Sequence, residues 1–336
     1  MKKYTVAIVG ATGAVGQELL KVLAERKFPV EELRLLATER SAGKIISWQG
    51  KDYRVQATTK DSFYGVQLAL FAGGAASLEY APAAVEAGAV VIDNSSNYRY
   101  REDVPLVVPE VNPEDLRWHK GIIANPNCST IQMVVALKPL HDAAKISRIQ
   151  VSTYQAVSGA GLPGLEELRR QTEDLNAGRP VESKVFQHQI AYNVIPQIDV
   201  LIDNGYYKEE MKMVWETRKM FHAPELPISC TAVRVPVFRS HSESISIETE
   251  TPLSPEEARE ILAKAPGVQL IDAPAEGRYP MPLQASDTDT VYVGRIRKDI
   301  STEKGLCLWV VADQIRKGAA TNAIQIAECL IREELL

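Results

Sequence analysis

The sequence predicts an α/β protein of two domains, a doubly wound parallel sheet followed by an α+β domain on a mixed sheet. Three observations carry this prediction. The chain opens with an apolar strand that runs through a glycine-spaced loop into a helix. Short apolar strands then alternate with helical stretches up to about residue 93. From residue 128 onward the strands lengthen, and several take on period-two alternation. At 336 residues the chain also exceeds what one small core organises.

In chain order, residues 4–9 form a continuous apolar strand, 10–16 a loop, and 15–26 a helix with Val15, Leu19, Leu20 and Leu23 on one face. Buried strands follow at 33–36, 68–72 and 90–93, with a helix at 78–87 before the last of them. Parallel order follows from this alternation, because parallel neighbours need a crossover helix. Residues 129–137 (STIQMVVAL) read as a buried helix closed by Pro139, with Cys128 at its N-terminal cap. Strands are then expected at 148–156, 230–237, 243–249, 290–297 and 306–312. Helices are expected at 164–176 and 255–263, the second capped by Ser254 with Glu257 three residues on. Residues 193–207 read as an irregular connection, and 318–336 as an amphipathic helix with Ala320, Ala323, Ile324, Ala327, Leu330 and Ile331 on its apolar side. The boundaries expected on this basis are 1–127 for the first domain, completed by 318–336, and 128–317 for the second.

Composition narrows the function classes. Apolar residues at 45% and charged residues at 24% are ordinary for a globular chain. A net charge of −5 without a dense Lys/Arg cluster gives no electrostatic case for nucleic acid or an anionic membrane. Four scattered cysteines, with no C-x-x-C pair and no histidine at ligand spacing, suit a reducing cytoplasm with neither zinc nor disulfides. No run approaches the roughly 20 apolar residues of a membrane span.

Within this frame a few residues can carry chemistry. In NPNCST (residues 125–130), Cys128 meets the unpaired amides and positive dipole end of a helix. That setting can lower a thiol from about 8.5 toward neutrality. The glycine loop GATGAVG, placed after the first strand, lets backbone amides approach a pyrophosphate, as in Rossmann-type dinucleotide sites. After the second strand, Arg40, Ser41 and Lys44 suit the 2′-phosphate of NADP, whereas Glu39 would suit NAD; NADP is favoured. His241, flanked by serines, reads by its setting alone as a surface residue. Beside a candidate thiolate it becomes the natural general acid/base. Arg234, in the apolar run TAVRVPV, is either one half of a structural ion pair or a fork for a substrate carboxylate. Arg99, after the strand ending at Asp93, lies where open α/β sheets bind ligands and could hold a phosphate, although position alone favours a solvated loop arginine. Gln155 precedes a small-residue turn and either orients a carbonyl or satisfies backbone groups.

Taken together, GATGAVG, NPNCST, YQAVSGAG and VRVPVFRSHSES, in that order, resemble aspartate-β-semialdehyde dehydrogenase along nearly the whole chain. The resemblance implies NADPH-dependent reductive dephosphorylation of β-aspartyl phosphate on the route to lysine, threonine, methionine and diaminopimelate, by a homodimer or homotetramer. It implies that Cys128 is the nucleophile, His241 the acid/base and Gln155 the residue that orients the intermediate. Arg234 becomes the carboxylate clamp, and Arg99 and Asn127 phosphate and active-site contacts. Glu209 and Lys212 become contacts to the substrate amino group and phosphate; Glu210 is the alternative to Glu209, and sequence alone makes this segment a solvated helix face. The cofactor contacts expected are Gly10, Thr12, Gly13, Ala14, Val15, Thr38, Arg40, Ser41, Gly73, Ser158, Gly159 and Gln314, with no metal. The terminal helix is expected to pack back onto the nucleotide domain. Two other readings stand beside this one: N-acetyl-γ-glutamyl-phosphate reductase, which needs no acidic contact to a free amine, and a catalytically silent dinucleotide-binding paralogue.

Overall fold

The computed structural model describes residues 2–336, which form two compact units. One comprises the chain up to Asn127 together with Ala319–Leu336; the other is Cys128–Gly318.

In the first unit, β1 (Tyr4–Val9) leads through the glycine loop into α1 (Ala14–Glu25) and back to β2 (Val30–Ala37). A small antiparallel hairpin, β3 (Ile45–Trp48) and β4 (Lys51–Arg54), precedes β5 (Gln56–Ala57). Then come β6 (Leu68–Phe71), α2 (Gly74–Glu86), β7 (Val90–Asp93) and β8 (Ile122–Ala124). The six strands lie in the order β5-β2-β1-β6-β7-β8, and each of their pairings is parallel. The order reverses direction beside β1, and β1 is the strand that carries the glycine loop.

The second unit begins with α3 (Cys128–Ala144) and β9 (Ile146–Gln155). It continues with α4 (Gly161–Asn176), α5 (Lys208–Met220), β10 (Ile228–Arg234), β11 (His241–Thr249), α6 (Pro255–Leu262), β12 (Val268–Leu270), α7 (Pro282–Ala285), β13 (Val291–Lys298) and β14 (Gly305–Ala312). Its sheet runs β10-β9-β11-β14-β13-β12 and is mixed: β10 with β9 and β12 with β13 are parallel, the other pairings antiparallel. Along β11 the residues His241, Glu243, Ile245 and Ile247 turn to one face and are buried, while Ser244, Ser246 and Glu248 on the other are half-exposed. This is the alternation of a sheet covered more fully on one side.

Helix boundaries depart from the sequence reading most at two prolines. Proline does not close α3: the helix runs through Pro139 to Ala144 and buries Leu140 and Ala144. The missing proline N–H forfeits one backbone bond, and burial of the turn beyond it outweighs that loss. Likewise α2 starts at Gly74 instead of residue 78 and continues through Pro82.

The C-terminal segment starts with a π-helical turn, Arg316–Ala320, and continues as α8 (Thr321–Arg332), whose apolar face joins the first unit's core with α1. Arg26 and Glu328 pair at 2.8 Å between α1 and α8, and Asn322 donates to Asn125 Oδ1 (2.7 Å) and the Val107 carbonyl (3.0 Å). A chain terminus is therefore held in place by buried polar bonds as well as by apolar area.

Candidate active site

The site in the second unit is assembled from the ends of α3, β9, β10 and β11 and the first turn of α5. Cys128 is the first residue of α3 and half-buried, so its thiol stands where a helix N-terminus favours negative charge. Gly318 lies against it: a Cβ there would stand 2.9 Å from the Cys128 Cβ.

Gln155 ends β9 and its side chain is buried, where Nε2 donates to Ser129 Oγ (2.7 Å) and Glu209 Oε1 (3.2 Å). Glu209 Oε2 in turn accepts from Lys212 Nζ (3.1 Å), which also reaches Asp199 Oδ2 (2.7 Å). Burial works against the Lys212 charge, but Glu209 and Asp199 outweigh it and hold the ammonium above its ordinary value. The segment read as a solvated helix face is therefore partly interior: Glu209 and Glu210 are both buried. Glu210 is committed to structure, since its two oxygens accept from the Tyr207 and Ala232 amides (2.7 and 2.9 Å). Helical spacing separates the two acids: adjacent positions point in different directions, so one meets Gln155 and the other meets β10.

Arg234 and His241 share one backbone partner. The Ala156 N–H donates to His241 Nδ1 (3.0 Å), and the Ala156 carbonyl accepts from Arg234 Nη1 (2.7 Å). Because Nδ1 accepts, the neutral ring carries its proton on Nε2, and Nε2 is buried without a partner. The expectation of a surface histidine is wrong: His241 is 0% exposed. The cause is that β11 begins with it, on the buried face of the sheet. Burial holds the imidazole well below its ordinary value, and the Arg234 charge acts in the same direction. Burial also lowers Arg234, opposed by the negative charge of Glu209 and of Cys128 as thiolate. Arg234 thus interacts electrostatically with both Cys128 and His241. Its guanidinium also sits 5.8 Å from the Phe186 ring centroid.

Gly159 has no room for a side chain. A Cβ there would stand 2.6 Å from Arg234 Nη1 and 3.3 Å from His241 Cε1. Its neighbour Ser158 accepts from Gln314 Nε2, and Gln314 Oε1 accepts from the Ser240 amide (2.8 Å) directly before His241. Ser240 itself adopts a left-handed φ of 72° as it turns the chain into β11.

Most of the expected cofactor contacts lie in the first unit, whereas Ser158, Gly159 and Gln314 belong to the second. Gly10 has φ +87°, and a Cβ at Gly16 would stand 2.3 Å from the Gly10 carbonyl oxygen, so both positions require glycine. Gly13 caps α1 and no side chain satisfies the first amides of that helix, leaving Ala14 and Val15 in an anion-ready turn. Thr12 and Ser41 hydroxyls meet at 3.4 Å, with Thr38 and the exposed Arg40 on the same short turn after β2. Gly73 caps α2. Arg99 is buried, with Nη2 donating to the Asn94 carbonyl (2.8 Å), and Asn127 is buried just before α3. Sequence reasoning missed Ser129, Phe186 and Asp199; only Ser129 carried a signal, as the neighbour of the cysteine.

Two outcomes follow from this geometry. Gly159→Ala is expected to fold with a near-unchanged melting temperature while turnover drops at least about tenfold, since displacement by a fraction of an ångström disturbs Arg234 and His241 together; unchanged turnover would show that the turn yields. The second concerns pH. Because the folded His241 is depressed, the unfolded chain binds more protons below about 6.5, so stability falls as pH drops through that value. From pH 7 to 5 the wild type should lose stability more steeply than His241→Asn, by up to about 1.4 kcal/mol per pH unit. Parallel urea-midpoint curves for the two proteins would contradict it.

Comparison with known proteins agrees with this layout. Residues 5–119 match the family model described as semialdehyde dehydrogenase, NAD binding domain, and residues 137–317 match semialdehyde dehydrogenase, dimerisation domain. The chain is 60% identical to aspartate-semialdehyde dehydrogenase of Aquifex aeolicus, with 99% of each chain covered, and 49% identical to that of Bacillus subtilis, with 98% of each covered. Among solved structures it resembles aspartate semialdehyde dehydrogenase II of Vibrio cholerae complexed with ASA, at TM-score 0.96 and 53% identity over 99% of both chains. It also resembles the Candida albicans enzyme with NADP, at TM-score 0.78 and 27% identity over the full length of both. The chain belongs to the aspartate-semialdehyde dehydrogenase family.

Proposed function

We propose that this protein catalyses the NADPH-dependent reductive dephosphorylation of L-aspartyl-4-phosphate to L-aspartate-4-semialdehyde, feeding lysine, threonine, methionine and diaminopimelate synthesis. The observation that carries the reading is the convergence, in one buried site, of a helix-terminal cysteine, a carboxylate-matching arginine and a histidine whose Nε2–H is unclaimed.

In this reading the Cys128 thiolate attacks the acyl carbon, the carbon–oxygen bond to phosphate breaks, and a thioester remains on the cysteine. Gln155, anchored by Ser129 and Glu209, orients that carbonyl. When bound, NADPH supplies the hydride that reduces the thioester carbon. His241 offers its Nε2–H as a hydrogen bond to the oxyanion that the hydride creates at the carbonyl oxygen; collapse of that adduct breaks the carbon–sulfur bond, releases the aldehyde and restores the thiolate, with no net proton consumed. One Nη1 hydrogen of Arg234 is occupied by Ala156; the rest of its fork suits the substrate α-carboxylate. Glu209, with Glu210 committed to backbone amides, is the acid supported as the contact to a free amine. That acid favours the aspartyl substrate over an N-acylated one. Lys212 suits the phosphate, and the family resemblance assigns further phosphate and active-site contacts to Arg99 and Asn127.

The uncapped start of α1 and its glycines fit a dinucleotide pyrophosphate, carried by Gly10, Thr12, Gly13, Ala14 and Val15. Arg40 and Ser41, with Thr38, suit the 2′-phosphate; Gly73, Ser158, Gly159 and Gln314 complete the proposed cofactor contacts. The reading takes residues 1–127 with 318–336 as the NADP-binding domain and 128–317 as the catalytic and dimerisation domain. Among the described residues no helix is long and apolar enough to cross a membrane, and the cysteines are free; both support a cytoplasmic setting.

Activity with aspartate semialdehyde, phosphate and NADP, followed at the nicotinamide absorbance, tests the assignment. Cys128→Ala should lose nearly all turnover, and Arg234→Lys should raise KM by about tenfold or more through loss of the fork. Full activity in Cys128→Ala, or turnover of N-acetylglutamate semialdehyde alone, would overturn the assignment.

The proposed assembly is a homodimer joined through the less covered face of the mixed sheet, where the Tyr154 and Trp309 rings meet at a tilt of 50° with centroids 5.4 Å apart. Light scattering of Trp309→Glu should report a monomer; a dimer of undiminished affinity would move the contact elsewhere.

A further inference from the structure

Behind the proposed reacting groups lies a second polar layer on the same two elements. Gln132 stands four residues beyond Cys128 on α3, and Glu243 two residues beyond His241 on β11. These spacings return to the same helix face and the same sheet face, so the second pair repeats the first one layer deeper. Both side chains are fully buried. Gln132 Nε2 donates to the His241 carbonyl (3.4 Å), while Gln132 Oε1 and both Glu243 oxygens have no hydrogen-bond partner.

With Glu243 ionised, these three orphaned atoms are all acceptors, and the buried charge has only the Gln132 amide and the Thr153 hydroxyl near it to offset its desolvation. A single proton lessens the conflict, because a neutral carboxyl has an O–H to give, and the Gln132 amide that acts on Glu243 has an unpartnered Oε1 able to accept it. Burial pushes the Glu243 carboxyl well above the ordinary carboxylate range, with the Gln132 amide acting the other way. Thr153 faces Glu243 across the β9 pairing, fully buried and likewise without a partner at Oγ1. The Glu243 charge acts on Cys230 of β10, whose thiol is raised by burial and then by Glu210, Glu243 and Glu209. No cation appears among the causes that act on Glu243.

We infer that Glu243 is kept as a neutral carboxylic acid whose O–H donates to Gln132 Oε1, and that this acid–amide pair is a positioning device for His241. The chain of bonds runs from the Glu243 O–H to Gln132, and from the Gln132 amide to the His241 carbonyl. It ties the nucleophile helix to the acid/base strand one layer below the chemistry. The inference rests on the reading above, in which Cys128 and His241 carry the reaction.

The test has an infrared arm and a kinetic arm on the intact protein. At neutral pH, the difference spectrum between wild type and Glu243→Gln should contain the carbonyl stretch of a protonated carboxylic acid, and Gln132→Leu should shift that band. Glu243→Gln retains a donor for Gln132 and should keep kcat within about threefold. Glu243→Leu should fold at least as stably, because an apolar residue suits the site, yet lose about 10–100-fold in kcat with KM little changed, since His241 is displaced while the substrate contacts remain. Absence of the protonated band, or wild-type kcat in Glu243→Leu, would overturn the inference. A wild type silent toward aspartate semialdehyde would overturn the functional reading and the positioning role with it, while the infrared band would still decide the protonation state by itself.

Discussion

The two peptide groups of Ala156 hold the site together: one donates its N–H to His241 Nδ1, and the other accepts from Arg234 Nη1. Ala156 has no side-chain chemistry of its own, yet its backbone sets the histidine tautomer and the position of the guanidinium. Both bonds depend on where β9 ends, because Ala156 follows Gln155 at the strand terminus. The pairing of β9 with β10 puts Arg234 opposite Gln155, and its pairing with β11 brings the start of that strand alongside. A register slip of one residue would turn His241 to the less covered face. The central strand of the site is therefore specified by sheet register before any reacting residue is considered.

Charge in the site is distributed so that few buried groups stand uncompensated. Lys212 is held by Glu209 and Asp199, and Gln155 bridges Glu209 to Ser129 next to the cysteine. Arg234 accepts the cost of burial because Glu209 and the Cys128 thiolate offset it. His241 is the opposite case: burial and Arg234 both favour its neutral form. A neutral imidazole whose Nδ1 is already occupied by the Ala156 N–H keeps its Nε2–H for another acceptor.

Backbone proximity explains why small residues recur here. Gly159 lies against Arg234 and His241, Gly318 against Cys128, and Gly16 against the Gly10 carbonyl. Each is a place where two segments approach closer than a Cβ permits. In the first unit that closeness sits beside a helix start whose cap residue offers no side-chain bond; in the second it lets Arg234, His241 and Cys128 pack against bare glycine.

The sequence by itself determined the fold class, the family and the residue types able to do the chemistry. Hydrophobic period and glycine spacing are local properties, and they write a βαβ opening and longer alternating strands into the chain directly. Cys128 at a helix start was legible for the same reason. What only the tertiary structure decided depends on contacts between distant segments. Burial of His241 follows from the pairing of β11 with β9 and β14, and its flanking serines carry no trace of it. The division of labour between Glu209 and Glu210 comes from α5 packing on β10, which claims one acid with the Ala232 amide. Asp199 reaches Lys212 from an irregular connection without any periodic signal. Pro139 failed as a stop signal because a local steric cost was outweighed by burial that no window of the sequence contains.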